Sequence, residues 1–260
     1  MAIQKLTIED FLTLAKEHPV LDVRSPGEYN QAHIPGACSL PLFTDEERKV
    51  VGTTYKQQSR EAAIKTGLDY FGVKMKKMVE ETETITSNFK LQTSNPKPQT
   101  QNTILVHCWR GGMRSAGVAW LLDLYGFKVY TLVGGYKAYR KWVLAQFEKK
   151  YRFKIVAGYT GSGKTLLLHE LAGQHKTVID LEDLAKHKGS AFGATDQPQP
   201  KQEMFENVLA EALAGAGSSL PGENGGSTAI WLEDESQRIG NLQIPMPLWY
   251  TMRKSPVLFL

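Results

Sequence analysis

Two short segments of the chain combine residue types that can bind and move a charged group. In the first, the sequence His-Cys-Trp-Arg-Gly-Gly-Met-Arg-Ser places Cys108 after an apolar run and before a predicted helix. A helix N-terminus and nearby cations lower the pKa of a thiol and so favour the reactive thiolate. Two consecutive glycines let the backbone curl with its N–H groups pointing inward, and Arg110 and Arg114 add positive charge. This loop predicts a cysteine nucleophile in a site for a tetrahedral oxyanion.

The second segment, Gly-Tyr-Thr-Gly-Ser-Gly-Lys-Thr, has the pattern of a P-loop, which wraps a diphosphate in backbone N–H groups. The predicted phosphate-binding residues are Gly158, Gly161, Ser162, Gly163, Lys164 and Thr165. Thr165 can bind magnesium together with Glu233 or Asp234, because a later predicted strand ends at these acids. Magnesium is therefore a candidate ligand, and no tightly bound cofactor is expected. The pattern alone does not distinguish a nucleotide from another diphosphate.

The elements that must position these loops are strands alternating with helices, which predicts an α/β fold with parallel sheets in both halves. Predicted strands cover residues 20–23, 37–40, 103–106, 128–132, 153–157, 177–181 and 229–232. We place a domain boundary near Lys150, which gives domains at 1–150 and 151–260. The first domain contains a charged, helical insertion at about 44–102. Its candidate buried positions are Val50, Tyr55, Ala62, Ile64, Leu68, Phe71, Met75 and Met78.

The last six residues, from Ser255 to Leu260, have the pattern of a buried parallel strand. Domains rarely end on an apolar strand without a cap or a following helix. We therefore expect the second domain to be incomplete, lacking its C-terminal part.

Composition narrows the class of protein without indicating its chemistry. The chain has 260 residues, 31 Lys and Arg against 27 Asp and Glu, and 42% hydrophobic residues, which excludes wholesale disorder and fibrous repeats. No apolar run approaches the roughly 20 residues of a membrane-spanning helix, and the N-terminus lacks the apolar core of a secretory signal. A cytoplasmic location is therefore expected, with Cys38 and Cys108 reduced.

Three strings in the first half resemble the signatures of rhodanese domains. They are LDVRSPGEY at 21–29, HIPGA at 33–37 and VYTLVGGY at 129–136. The resemblance implies that Cys108 stands at the position of the persulfide-forming cysteine, that Asp22 and Arg24 form a buried structural pair, and that His33 stabilises a turn. Five residues separate Cys108 from Arg114, which is the longer spacing of dual-specificity phosphatases of this fold. Such a loop suits selenophosphate or phosphate as well as thiosulfate.

A rhodanese domain followed by a P-loop domain resembles the bacterial tRNA 2-selenouridine synthase family, and the resemblance covers essentially the whole chain. The strings that carry it lie at 51–57, 107–115, 158–165, 180–193 and 233–240. Family members replace the sulfur of a wobble 2-thiouridine in tRNA with selenium from selenophosphate. S-geranyl-2-thiouridine, made with geranyl diphosphate, behaves as the intermediate.

The resemblance therefore implies a transferase with two anion sites. Lys164 and Thr165 would hold the diphosphate of geranyl diphosphate, Cys108 would carry or position the selenium, and Arg110 and Arg114 would bind the phosphate of selenophosphate. The implied partners are tRNAs that contain 2-thiouridine, namely those for Lys, Glu and Gln, and an enzyme that supplies selenophosphate. No membrane partner is implied.

A tRNA partner requires a basic surface, and the chain offers candidates around the domain boundary and in the 180–193 string. The candidate tRNA-binding residues are Lys137, Arg140, Lys141, Lys149, Lys150, Arg152, His187 and Lys188. Contacts of such residues with phosphates give affinity that depends on salt and does not read the base sequence.

Three other functions remain open at the level of sequence. The His-Cys-x5-Arg string fits a cysteine-dependent phosphatase of the rhodanese fold. A sulfurtransferase coupled to a P-loop NTPase or kinase domain would explain both loops. A tRNA-binding protein without catalysis would need only the basic residues.

Overall fold

The computed structural model describes residues 3–92, 102–159, 161–188, 197–217 and 229–260. The chain divides into two compact units, Met1–Arg140 and Lys141–Leu260. This division lies ten residues before the boundary near Lys150 that the sequence suggested, inside a helix that continues to Phe147. Among the described helices, none is both long and apolar enough to cross a membrane.

The first unit is built on a parallel five-stranded sheet, which confirms the predicted class. Its strands are β1 (Gln4–Leu6), β2 (Val20–Asp22), β3 (Cys38–Ser39), β4 (Thr103–His107) and β5 (Lys128–Leu132), in the spatial order β1-β5-β4-β2-β3. All residues of β2 and β4 are buried, as expected for central strands covered on both faces. The carboxyl ends of these two strands therefore form a rigid base for the loops that follow them.

In the described residues of this unit, seven helices accompany the sheet. They are α1 (Ile8–Ala15), α2 (Pro26–Gln31), α3 (Asp45–Gln57), α4 (Arg60–Gly72), α5 (Met75–Gln92), α6 (Met113–Tyr125) and α7 (Gly135–Phe147), the last of which crosses the division between the units. The region of the predicted helical insertion contains α3 to α5 up to Gln92, and residues 93–101 lie outside the described part of the chain. Phe71 and Met78 are buried as expected, whereas Val50, Tyr55 and Leu68 are exposed, so those three predictions are wrong.

The second unit contains a parallel three-stranded sheet in the order β10-β6-β7. Its elements are β6 (Phe153–Ala157), α8 (Lys164–Gly173), α9 (Leu181–Ala185), α10 (Gln202–Gly217), β7 (Ile230–Glu233), the hairpin β8 (Arg238–Ile239) and β9 (Leu242–Gln243), α11 (Met246–Arg253) and β10 (Val257–Phe259). The predicted strand at 177–181 is reduced to one parallel bridge between Val178 and Trp231, because α9 begins at Leu181 with Asp180 as its cap.

Strand β10 forms in parallel with β6, but it is not buried as the sequence predicted. It lies at the edge of the sheet, and the side chains of Val257 and Phe259 are 58% and 65% exposed. An edge strand pairs on one side only, and β10 has β6 as its neighbour in the sheet.

Candidate active site

The loop between β4 and α6 places the thiol of Cys108 in a buried position. Cys108 follows the last residue of β4, and its side chain is 3% exposed. The Sγ atom lies 3.2 Å from the Oγ atom of Ser115, in the first turn of α6. The carbonyl oxygen of Gly112 lies 3.1 Å from the same hydroxyl. The thiol is therefore held where the loop turns into the helix.

The electrostatics of this loop favour the thiolate. Burial acts to raise the pKa of Cys108, but hydrogen bonds from the Ser115 hydroxyl and from the N–H groups of Ser115, Arg110 and Gly112 outweigh it. The pKa of Cys108 therefore lies below its ordinary value. These donors are the inward-pointing N–H groups that the glycine-rich sequence predicted, and they suit a nucleophile facing an oxyanion.

The Cys108 loop packs against a second glycine pair, Gly134 and Gly135, where α7 begins. Gly135 has a φ of +58°, and a Cβ atom there would lie 2.3 Å from the carbonyl oxygen of Cys108. Gly111 has a φ of +63°, and its Cβ would lie 2.5 Å from the carbonyl oxygen of Leu132. The N–H group of Tyr136 donates to the carbonyl of Cys108 at 2.8 Å. The two backbone segments thus touch directly, which only glycine permits at these positions.

The two arginines of the loop lie in different environments. The side chain of Arg110 is exposed, while its backbone N–H bonds to the sulfur of Cys108. The guanidinium of Arg114 is partly buried and donates from Nη1 to the Oε2 atom of Glu28, at 2.8 Å. The structure therefore anchors Arg114 to a carboxylate of α2, a contact that the sequence did not reveal.

Beneath the loop, Asp22 and Arg24 form the buried pair that the sequence predicted. Their side chains are at most 1% exposed, and Arg24 reaches the two carboxylate oxygens from Nε at 3.0 Å and from Nη2 at 2.6 Å. The guanidinium also covers the ring of Tyr136 at 3.8 Å. Burial lowers the pKa of His107, which lies 3.8 Å from Asp22. His33, as expected, stabilises a turn through the carbonyl of Tyr29 at 3.0 Å.

The second loop joins β6 to α8. Gly161 and Gly163 have φ values of +83° and +91°, which the P-loop pattern requires of its glycines. The ammonium of Lys164 donates to the carbonyl oxygens of Gly158 at 3.1 Å and Tyr159 at 3.2 Å. It is therefore held over the loop whose N–H groups would wrap a phosphate.

Thr165 and Glu233 meet as the sequence predicted, since the hydroxyl of Thr165 donates to Oε1 of Glu233 at 2.9 Å. Glu182 and Glu235 join them, because carboxylate oxygens of Glu182, Glu233 and Glu235 lie within 4.8 Å of one another. Asp234, the other predicted metal ligand, instead pairs with Arg253 at 2.5 Å. Asp234 is therefore not one of the three clustered carboxylates.

The comparisons with known proteins bear on both units. The Rhodanese-like domain family matches residues 7–141, and the tRNA 2-selenouridine synthase AAA domain family matches residues 151–260. The chain is 37% identical over 257 residues to the tRNA 2-selenouridine synthase of Nitrosomonas europaea. The chain belongs to the tRNA 2-selenouridine synthase family.

A second synthase and one solved structure are also similar to this chain. The synthase of Bdellovibrio bacteriovorus is 37% identical over 265 residues. A crystallised N-terminal domain from Clostridium difficile 630 is 38% identical with a TM-score of 0.46, and the match covers 55% of this chain and 99% of that domain. The Nitrosomonas and Bdellovibrio matches cover 97% and 100% of this chain, but 62% and 65% of those relatives.

In this member of the synthase family, the oxygen-rich cluster of the second unit fits magnesium. Hydroxyl and carboxylate oxygens are the ligands that magnesium prefers. Burial, opposed by the Thr165 hydrogen bond, raises the pKa of Glu233. Burial and the neighbouring charges of Glu182 and Glu233 raise the pKa of Glu235 to about 8. A cation would relieve this crowding of negative charge.

The candidate tRNA-binding residues of this chain are mostly solvent-accessible. The exposed ones are Lys137, Lys141, Lys149, Lys150, Arg152 and Lys188, whereas Arg140 and His187 are half-buried. His187 packs against the hairpin, because a Cβ atom at Gly240 would lie 2.8 Å from its ring. Gln199 bridges the carbonyls of Ala185 at 3.2 Å and Ile239 at 3.0 Å. This packing gives His187 a structural setting, and Lys188 is exposed.

Sequence reasoning missed four residues of these two sites. They are Glu28, Ser115, Glu182 and Glu235. Ser115 directly follows Arg114, so the first turn of a helix beginning at the loop could have revealed it. The other three depend on contacts between segments that are distant in sequence.

Proposed function

We propose that this chain carries out the replacement of sulfur by selenium at 2-thiouridine in tRNA, as a transferase with selenophosphate as the selenium donor. The observation that carries the proposal is the buried thiol of Cys108, whose pKa is lowered by donors that also suit an oxyanion. Membership of the tRNA 2-selenouridine synthase family supports the same reaction. The substrates are tRNAs that contain 2-thiouridine, those for Lys, Glu and Gln among them.

In the first step, the thiocarbonyl sulfur of the nucleoside attacks C1 of geranyl diphosphate. A C–S bond forms, the allylic C–O bond breaks, and diphosphate leaves with the electron pair. Lys164 and the loop N–H groups stabilise the negative charge that develops on diphosphate. Thr165 and Glu233 would hold magnesium, which supplies further neutralisation when bound.

In the second step, the selenium of selenophosphate forms a bond to C2 of the uracil ring and geranylthiol leaves. Water takes up the phosphoryl group and gives inorganic phosphate, so that the atoms balance. Arg110 and Arg114 hold the phosphate oxygens, and Cys108 positions the selenium next to the ring. Geranylthiol is a better leaving group than sulfide, which explains the use of the intermediate.

The test is mass spectrometry of nucleosides from thiolated tRNA incubated with this chain, geranyl diphosphate, selenophosphate and magnesium. Cys108→Ser is expected to stop selenation and to leave S-geranyl-2-thiouridine accumulating. Lys164→Ala is expected to stop geranylation at the first step. The Nitrosomonas europaea synthase serves as the positive control, because this chain spans 62% of its length.

Two outcomes would contradict this division of labour. Selenation that survives Cys108→Ser while geranylation is lost would reverse the two roles. Unmodified 2-thiouridine with this chain, alongside product from the Nitrosomonas synthase, would show that this chain does not suffice for the reaction.

A second candidate function is phosphatase activity, favoured by the five-residue spacing between Cys108 and Arg114 and by the lowered pKa of the thiol. Release of phosphate from a chromogenic phosphate ester, lost in Cys108→Ser, would support it. A thiolated tRNA that is modified without such release would support the selenium transfer instead.

A further inference from the structure

Glu28 is the centre of a charged network next to the Cys108 loop. Its Oε2 atom accepts from Nη1 of Arg114 at 2.8 Å and from Nε of Arg48 at 2.8 Å. The hydroxyl and the backbone N–H of Ser25 donate to the same oxygen, at 3.2 Å and 3.3 Å. Two cations and a helix cap therefore converge on one carboxylate oxygen.

Contacts within α2 and from α3 hold Glu28 in place. Ser25 and Glu28 form the capping box that begins α2, and Arg48 comes from the first turns of α3, the start of the helical insertion. The carboxylate of Asp45 accepts from the N–H of Gly27 at 3.0 Å, which ties α3 to α2 a second time. Glu28 is thus fixed before any anion reaches the loop.

The charge state of Glu28 suits this role. Burial acts to raise its pKa, but the hydrogen bond and charge of Arg114, the N–H of Ser25 and the charge of Arg48 outweigh it, so its pKa lies below the ordinary value. The side chain is 15% exposed and that of Arg114 is 24% exposed. An ion pair so shielded from water is stronger than one on the open surface.

We infer that Glu28 is a positioning residue that orients the guanidinium of Arg114 for oxyanion binding in the Cys108 loop. A guanidinium has five N–H donors in a fixed plane, so anchoring one edge on Glu28 leaves the other donors for the oxyanion. Arg48 supports the carboxylate from the insertion. The inference rests on the proposed role of this loop as the site for the phosphate of selenophosphate.

The chain offers a matched control for this residue. Glu47 stands three residues after Thr44 in the capping box of α3, as Glu28 stands after Ser25 in that of α2. Glu47 also pairs with a cation, Lys74. Replacing it removes a capping glutamate and an ion pair without touching Arg114.

The experiment measures how well inorganic phosphate protects Cys108 from iodoacetamide, followed by peptide mass spectrometry with Cys38 as an internal reference. Phosphate is expected to protect wild-type protein, Arg114→Gln to weaken its binding strongly, and Glu28→Gln to weaken it about tenfold. Glu47→Gln is expected to bind phosphate as the wild type does. In the Arg114→Gln background, Glu28→Gln is expected to have no further effect, because Glu28 acts through the guanidinium.

The other outcomes distinguish a failure of the inference about Glu28 from a failure of the proposed oxyanion site. Phosphate binding unchanged or tighter in Glu28→Gln, with Arg114→Gln weakened, overturns the inference and leaves the oxyanion site standing. An equal loss from Glu28→Gln in both backgrounds, or the same loss in Glu47→Gln, shows a merely structural effect and also overturns it. Protection that is absent in wild type, or unchanged in Arg114→Gln, overturns the proposed oxyanion site itself.

Discussion

At the scale of single residues, the thiol of Cys108 contacts the hydroxyl of Ser115, which lies one residue beyond the His-Cys-x5-Arg string. The Oγ atom of Ser115 lies 3.2 Å from Sγ, and both side chains are buried. Its hydrogen bond opposes the burial that would otherwise raise the pKa of Cys108. The loop backbone alone therefore supplies only part of the activation.

Ser115→Ala is expected to raise the pKa of Cys108, because a buried thiolate loses a hydroxyl donor. The rate of alkylation by iodoacetamide, measured from pH 5 to pH 10, reports the thiolate directly. The Ala profile should shift to higher pH, whereas Ser115→Thr should keep the wild-type midpoint. Overlapping Ala and wild-type profiles would exclude a role for this hydroxyl.

The raised pKa of Glu235 predicts that the free energy of unfolding depends on pH. Its pKa is raised to about 8 by burial and by Glu182 and Glu233, against an ordinary value of 4.5. Between these values the folded state keeps a proton that the unfolded state has lost, so this group destabilises the protein as pH rises. In the absence of magnesium, Glu235→Gln should therefore gain stability relative to wild type, by about 3–4 kcal/mol between pH 5 and pH 8.

Urea unfolding at pH 5, 6, 7 and 8 with a chelator present checks this expectation. Asp234→Asn is the matched control, because Asp234 adjoins Glu235 in sequence but pairs with Arg253. A difference between Glu235→Gln and wild type that stays constant across pH would contradict the raised pKa.

At the scale of elements, the site depends on the contact between the Cys108 loop and the turn before α7. A Cβ atom at Gly135 would lie 2.3 Å from the carbonyl oxygen of Cys108 and 2.5 Å from the N–H of Gly111. Gly36 also has a positive φ, +77°, but no atom lies within 4 Å of its Cβ position. Comparing alanine substitutions at Gly135 and Gly36 therefore separates the cost of a left-handed backbone from the cost of a steric clash.

Gly135→Ala is expected to lower the free energy of unfolding by about 3 kcal/mol or more, the left-handed backbone and the collision adding together. Gly36→Ala should cost only the backbone part, about 1–2 kcal/mol. Urea unfolding of the two variants makes the comparison. Equal losses would show that the loop can move away from the turn at little cost.

The strands and the two loops could be predicted from sequence because short-range patterns determine them. Short runs rich in apolar residues mark the mostly buried strands β2, β4, β5, β6 and β7, and glycine-containing segments mark the loops after β4 and β6. Cys108 directly follows β4, and Lys164 and Thr165 begin α8 after the glycine-rich loop that follows β6, so their placement was also predictable. The exposure of Val50 and Leu68 was not, because helical periodicity does not say which face of a helix meets the sheet.

The parts of the site that sequence could not reveal depend on tertiary contacts. Glu28 and Arg114 are 86 residues apart, and Thr165 and Glu233 are 68 apart. The contact between Thr165 and Glu233 was predicted because Thr165 belongs to the P-loop pattern and Glu233 ends a predicted strand. Glu182 joins the same cluster from α9, and no P-loop or strand-end pattern indicated this. The choice of Glu235 over its neighbour Asp234 depends on the direction in which the chain leaves β7.

At the scale of the whole molecule, the formal net charge of +4 is small, so the proposed tRNA partner would have to be attracted by a local basic surface. Residues 149–152 contain three exposed cations next to β6. If they contact phosphates, they release counterions and make the affinity for tRNA depend on salt.

Replacing Lys149, Lys150 and Arg152 together by glutamine is therefore expected to weaken binding of an unmodified tRNA transcript and to reduce its salt dependence. Each lost phosphate contact lowers the slope of log Kd against log salt by about 1, so the slope should fall by about 2–3. Glutamine at Lys76 and Lys77 is the control, because these exposed lysines lie on α5, and each pairs with a glutamate four residues on, at 3.5 Å. Fluorescence anisotropy between 50 and about 300 mM salt gives both slopes, a range over which phosphate contacts change affinity strongly. A triple variant that binds more weakly with an unchanged slope would show that these residues shape the protein surface without contacting phosphates.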